Sequence, residues 1–140
     1  MRTYEMSYIY EGSVAFPNAL MLLIAEDYKQ AEIPDIDGIA NFWSTASVWA
    51  QAVQHVAEGD VLLRIGKNPP DDPALALLHQ GVLHSSRRLV DIHTVYLDSI
   101  ARFRTRSRDV PISIWGDDAR QPERVVVQCQ GIAEGVQHGR

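Results

Sequence analysis

The residues of this chain best suited to chemistry are its histidines and arginines, and they concentrate between Pro70 and Arg108. That stretch holds His79, His84 and His93, together with Arg87, Arg88, Arg102, Arg104, Arg106 and Arg108. An imidazole titrates near neutrality and serves as acid, base or metal ligand. A guanidinium is a permanent charge whose planar fork matches carboxylate or phosphate. Two spacings stand out. Arg88-Leu-Val-Asp-Ile-His93 separates a guanidinium from an imidazole by four residues, and Arg102, Arg104, Arg106 and Arg108 alternate with Phe103, Thr105, Ser107 and Asp109. In an extended chain the alternating run presents four guanidiniums along one edge, suited to an acidic protein surface or to phosphates. In a helix the same arginines spread around the axis and favour its negative end, with Asp98–Arg102 and Arg87–Asp91 as ordinary i,i+4 pairs.

On a helix, the Arg88-x4-His93 spacing resembles the motif of the HEPN ribonucleases, which are small helical domains. The resemblance implies that Arg88 holds the scissile phosphate and that His93 acts on the ribose 2′-hydroxyl or the leaving group. The plainer reading pairs Arg88 with Asp91 and leaves His93 beside a helix seam.

Metal chemistry finds no support in the spacing. His79 and His93 lie fourteen residues apart, about 21 Å along a helix, and there is neither a His-x3-His pattern nor a cysteine pair. No metal and no cofactor are expected. Cys129 alternates with Val127 and Val125 and is expected to be a buried, inert thiol. The Gly-x-Gly-x-x-Gly, phosphate-loop, Gly-x-Ser-x-Gly, His-Glu-x-x-His and EF-hand patterns are all missing, which lowers the expectation of an enzyme. Trp43 and Trp49 read as core anchors. Trp115 shares its strand face with Ser113 rather than with Ile112 and Ile114, and is expected to be an exposed contact residue.

The elements that must position these groups are read from periodicity. Residues 3–10 alternate like a strand, with Tyr4, Met6, Tyr8 and Tyr10 on one face. Pro17 opens a helix across Ala19–Gln30, with a strand over Ala19–Ala25 as the alternative. A second helix spans Asp37–Glu58, where Ile39, Phe42, Trp43, Ala46, Trp49, Val53 and Val56 recur at helical spacing. Its polar side carries no formal charge from Gly38 to Ala57, so it is expected to pack on more than one side, within the fold or against a second copy of the chain. A third helix runs from Asp71 into the arginine run, carrying Leu75, Leu78, Val82, Leu89, Ile92, Tyr96 and Phe103. Val110–Trp115 and Arg124–Gln130 read as a hairpin with a long loop. The expected fold is α+β: three or four helices packed with a small antiparallel sheet made of the N-terminal strand and the C-terminal hairpin.

Bulk properties narrow the function classes. The 140 residues suit one domain, 1–140, with a core large enough to need no staple. No apolar run is long enough to span a bilayer, and a lone cysteine fits a reducing compartment, so the expectation is cytoplasmic. Residues 1–60 carry nine acids and two bases, whereas residues 61–140 carry nine acids and eleven bases. The overall charge of −5 disfavours nucleic acid as the default partner. The resulting expectation is a non-enzymatic protein-binding module of inhibitor, immunity or adaptor type. It would contact a partner, acidic at the contact, through Arg102, Arg104, Arg106, Arg108 and Trp115, and self-associate through the Asp37–Glu58 helix. The alternative is an RNA-binding or RNA-cleaving domain using Arg88 and His93.

Overall fold

The structure is a computed structural model that describes residues 8–26, 28–29, 32–37 and 40–133, and the backbone of 137–138. The described residues form two β-sheets and no α-helix. Sheet A orders its strands β1 (Tyr8–Val14), β5 (Val61–Gly66), β10 (Arg124–Gln128), β9 (Asp109–Gly116) and β6 (Ala76–His84). Sheet B orders β11 (Gln137–His138), β8 (Ser99–Arg104), β7 (Leu89–His93), β2 (Leu20–Ala25), β4 (Val48–Ala52) and β3 (Phe42–Ser44). All pairings are antiparallel except β5 with β10.

Alternate residues of each sheet meet in one core, because side chains of a strand point to opposite faces. Sheet A supplies Val61, Leu63 and Ile65, Leu83, Val110, Ile112 and Ile114, and Val125 and Val127. Sheet B supplies Met21 and Leu23, Trp49, Val90 and Ile92, and Ala101 and Phe103. Cys129 is also fully buried there, and desolvation raises its thiol pKa to about 11.

The expected helices are not present, and each misreading has a physical cause. Across Pro70–Arg108 the chain forms β6, β7 and β8. Their alternating apolar residues mimic helical spacing because turns at 85–88 and 94–98 interrupt them without glycine or proline. Val82 and Tyr96, two members of the supposed helical stripe, are exposed, while Leu83, Val90 and Phe103 are buried. The Asp37–Glu58 helix is replaced by β3, β4 and a short 3-10 turn at Val56–Glu58. The dimer expected through that helix therefore has no basis. β4 lies between β2 and β3 with four of its five residues buried, so the missing charge reflects a strand covered on both faces. Ala19–Gln30 yields β2, the strand alternative. At the N-terminus, residues 3–7 of the expected strand lie outside the described residues, and β1 runs on past Glu11-Gly12-Ser13 to Val14. Trp49 is a core residue, whereas Trp43 is half-buried with its ring N–H donated to the Asp37 carbonyl at 3.1 Å.

Candidate interaction surface at the arginine-rich end

Two connections cross between the sheets at the same end of the sandwich. Residues 85–88 lead from β6 to β7, and residues 105–108 lead from β8 to β9. Backbone hydrogen bonds stitch them together: Ser85 N–H to the Arg108 carbonyl at 2.8 Å, and Thr105 N–H to the Arg88 carbonyl at 2.9 Å. The Arg108 Nε donates to the Ser86 carbonyl at 3.2 Å. Buried hydroxyls set each turn from within. Ser85 Oγ donates to the Leu89 carbonyl at 2.8 Å and accepts the Leu89 N–H at 3.0 Å. Thr105 Oγ1 donates to the Ser107 carbonyl at 2.8 Å. Arg88 closes its turn with φ at 58°, a left-handed conformation that non-glycine residues adopt at a cost of about 1–2 kcal/mol.

This framework carries Arg87, Arg88, Arg106 and Arg108 exposed, with Arg104 exposed at the adjoining end of β8. Among the described residues, Arg87, Arg88 and Arg106 have no ion-pair partner. The nearby Asp109 is engaged by His84 at 2.8 Å. Guanidiniums on backbone that is already ordered lose less freedom on binding than guanidiniums on a floppy loop.

The sequence-derived site residues are only partly gathered. Arg102 and Arg104 share the outer face of β8, because Ala101 and Phe103 point into the core. Arg102 approaches Glu26 at 3.6 Å. Arg106 and Arg108 lie in the turn, so the four do not form one straight edge. Trp115 is half-buried near the far end of β9, donating its ring N–H to Gln128 Oε1 at 3.0 Å, about 20 Å along the strand from the arginine turns. Arg88 and His93 are also separated, by about 17 Å along β7. The geometry implied by the ribonuclease resemblance is not formed, and the helical scaffold it needs is absent from the described residues. Arg87 was missed as a surface residue by sequence reading. The available signal was the shared composition of two distant turns, Ser-Ser-Arg-Arg at 85–88 and Arg-Ser-Arg at 106–108.

His93 belongs instead to a polar cluster on the outer face of sheet B. Its Nε2 lies 3.0 Å from Asp91 Oδ2, and Ser99 Oγ donates to Asp91 Oδ1 at 2.6 Å. Burial raises the Glu26 pKa, as do its hydrogen bond to Asp91 and repulsion by Asp91; Arg102 and His93 oppose this. Burial also pushes Asp91 upward, but hydrogen bonds from His93 and Ser99 and the His93 charge leave it below the ordinary aspartate value. The Asp91 side chain is 7% exposed, while Glu26 and Arg102 at the rim of the cluster stay partly open to solvent. Beside it, Leu20, Leu22, Tyr28, Ile33, Pro34 and Leu97 help to line an apolar cavity of about 290 Å³.

The opposite end of the sandwich is acidic. Glu58, Asp60, Asp117, Asp118 and Glu123 lie on or beside the β4–β5 and β9–β10 connections, with Arg120 and Arg124 among them. A cleft of about 620 Å³ opens there between Asn41, Val53, Asp118, Arg120 and Gln121. Asp118 is committed to its own turn, accepting the Arg120 and Gln121 backbone N–H groups at 2.7 and 3.0 Å. Among the described residues no group of three histidine, cysteine or acidic side chains is placed to hold a metal, and no helix is long and apolar enough to cross a membrane.

No family model matches the chain, and no curated protein matches it. A solved structure does share the fold: ComJ from Bacillus subtilis, an inhibitor of the DNA degrading activity of NucA. It superposes with a TM-score of 0.67 over 90% of this chain and 98% of its own, at 7% sequence identity.

Proposed function

We propose that this chain is a non-enzymatic protein-binding module of inhibitor or immunity type, and that its arginine-rich end docks on an acidic protein surface. The observation that carries this reading is the set of exposed guanidiniums, Arg87, Arg88, Arg106 and Arg108, on two turns fastened to each other by backbone hydrogen bonds. Arg102 and Arg104 extend the charge onto sheet B. The local concentration of positive charge supports the orientation, since a basic patch meets an acidic one by complementary potential during approach. The fold shared with a nuclease inhibitor is consistent with an inhibitor role. Trp115 is a contact residue of a separate patch on sheet A.

The test compares the wild-type chain with an Arg87→Glu/Arg88→Glu/Arg106→Glu variant as baits in extract of the native host. Proteins retained by the wild type alone are then purified and titrated calorimetrically at two salt concentrations. The reading expects a partner whose affinity falls about tenfold or more with the triple reversal and weakens with salt. Equal retention of every protein by both baits refutes it. Salt-dependent retention of labelled RNA by the wild type, lost in the variant, replaces the acidic protein with a nucleic acid.

A further inference from the structure

β6 is the longest strand among the described residues and forms an edge of sheet A. Natural edge strands are guarded by charge, proline or shortness. The nine residues of β6, Ala-Leu-Leu-His-Gln-Gly-Val-Leu-His, contain no lysine, arginine, acid or proline. A register shift between Leu77 and His79 lies below the Gln80–His84 stretch.

The open backbone groups can be assigned. His84 gives its N–H to the Ala46 carbonyl at 2.7 Å, away from β9. Val82 faces Pro111, which has no N–H to offer. Antiparallel pairs alternate between bonded and non-bonded, so Gln80 and Val82 also direct N–H and C=O away from β9. Among the described residues no backbone group is bonded to those of Gln80 or Val82 from outside the sheet. Val82 is 56% exposed.

From this edge we infer that the chain forms a twofold dimer by antiparallel pairing of β6 with β6 of a second copy, centred on Gly81. Gln80 and Val82 then exchange N–H···O=C bonds with Val82 and Gln80 of the copy, joining the two A sheets. The two Gly81 residues meet on the axis as a non-bonded pair, where strands approach most closely and where no Cβ intervenes. Charge selects this arrangement over a parallel one. β6 runs from Ala76, paired with Gly116 at the acidic end, to His84, paired with Asp109 at the arginine-rich end. Antiparallel copies set each arginine-rich end beside the acidic end of the other, while the pole proposed to dock a partner stays open.

Sedimentation velocity of the full chain across micromolar concentrations at low salt tests the inference, with amide hydrogen exchange as a second measurement. The expected species is twice 15.7 kDa, with protection of the Gln80 and Val82 amides rising about tenfold or more as the dimer fills. Val82→Lys, placed on an exposed site outside the core, returns the chain to monomer, folded as judged by an unchanged circular-dichroism spectrum and with a thermal unfolding that no longer depends on protein concentration. A wild type that stays monomeric up to about 100 µM overturns the proposal. So does a dimer that Val82→Lys leaves intact, or one in which those two amides gain no protection.

Discussion

Replacing Asp91 with alanine tests the polar cluster on sheet B. The carboxylate is nearly enclosed and takes Ser99 Oγ at 2.6 Å and His93 Nε2 at 3.0 Å. Its removal leaves the Ser99 hydroxyl without that partner and takes away the His93 Nε2 contact, while His93 Nδ1 is already buried with no partner among the described residues. Hydrogen bonds to a charged acceptor are worth ~1.5–3 kcal/mol each. Relief of the Glu26–Asp91 repulsion offsets about 1 kcal/mol, so the net loss is about 2–5 kcal/mol. With an unfolding entropy of about 2.1 cal/mol/K per residue, 3 kcal/mol lowers the Tm of a chain of 140 residues by about 10 °C. Thermal unfolding followed by circular dichroism gives the shift directly. The sign with pH is also determined. Asp91 titrates below its ordinary value in the folded protein, so its ionised form contributes fully above the ordinary aspartate range. That contribution disappears as pH falls through the depressed value. The gap between wild type and variant therefore closes in strong acid. Adding Ser99→Ala to Asp91→Ala costs much less than Ser99→Ala does in the wild type. A neutral-pH Tm within about 2 °C of wild type refutes the reasoning.

Glu26→Gln acts in the opposite pH direction. The raised folded value of Glu26 means that its ionised form is disfavoured on folding, so the variant matches wild type in acid and gains relative stability as pH rises through that value, read from urea midpoints. At Gly116 a new Cβ falls 2.6 Å from Leu78 Cδ1 and 2.9 Å from Pro122 Cβ; Gly116→Ala is expected to lose about 1–3 kcal/mol in denaturant titration. Cys129, buried with its pKa pushed up to about 11, resists maleimide labelling at mildly alkaline pH while the protein is folded and labels once it is denatured, as mass spectrometry will record.

The arginine-rich end and the polar cluster draw on the same construction. β7 connects them: its first residue follows the arginine turn at 85–88, and its last is His93. The core residues Val90 and Ile92 hold that strand in place. Substitutions in the cluster are therefore expected to affect stability, whereas substitutions of Arg87 or Arg106, exposed and without ion pairs among the described residues, affect binding with little change in unfolding.

Several features were legible in the residues themselves. The period-two runs around Val110–Trp115 and Arg124–Gln130 correspond to β9 and β10, which pair antiparallel. The alternation of Val125, Val127 and Cys129 marked one buried face. The uncharged block from Gly38 to Ala57 was a guide to burial only over β4; Ser44, Ala46, Val56 and Ala57 in the same block are exposed. Tertiary structure decided the rest. β4 carries no clear alternation because both of its faces are covered. The turns at 85–88 and 94–98 contain serine, threonine, arginine and aspartate in place of the usual breakers, so three strands merged into an apparent helix. The parallel neighbours β5 and β10 meet through backbone groups of residues about sixty positions apart, and composition carries no record of such pairing. The arginine-rich end has the same origin: its two serine–arginine turns become one surface only because both connections cross between the sheets at the same pole.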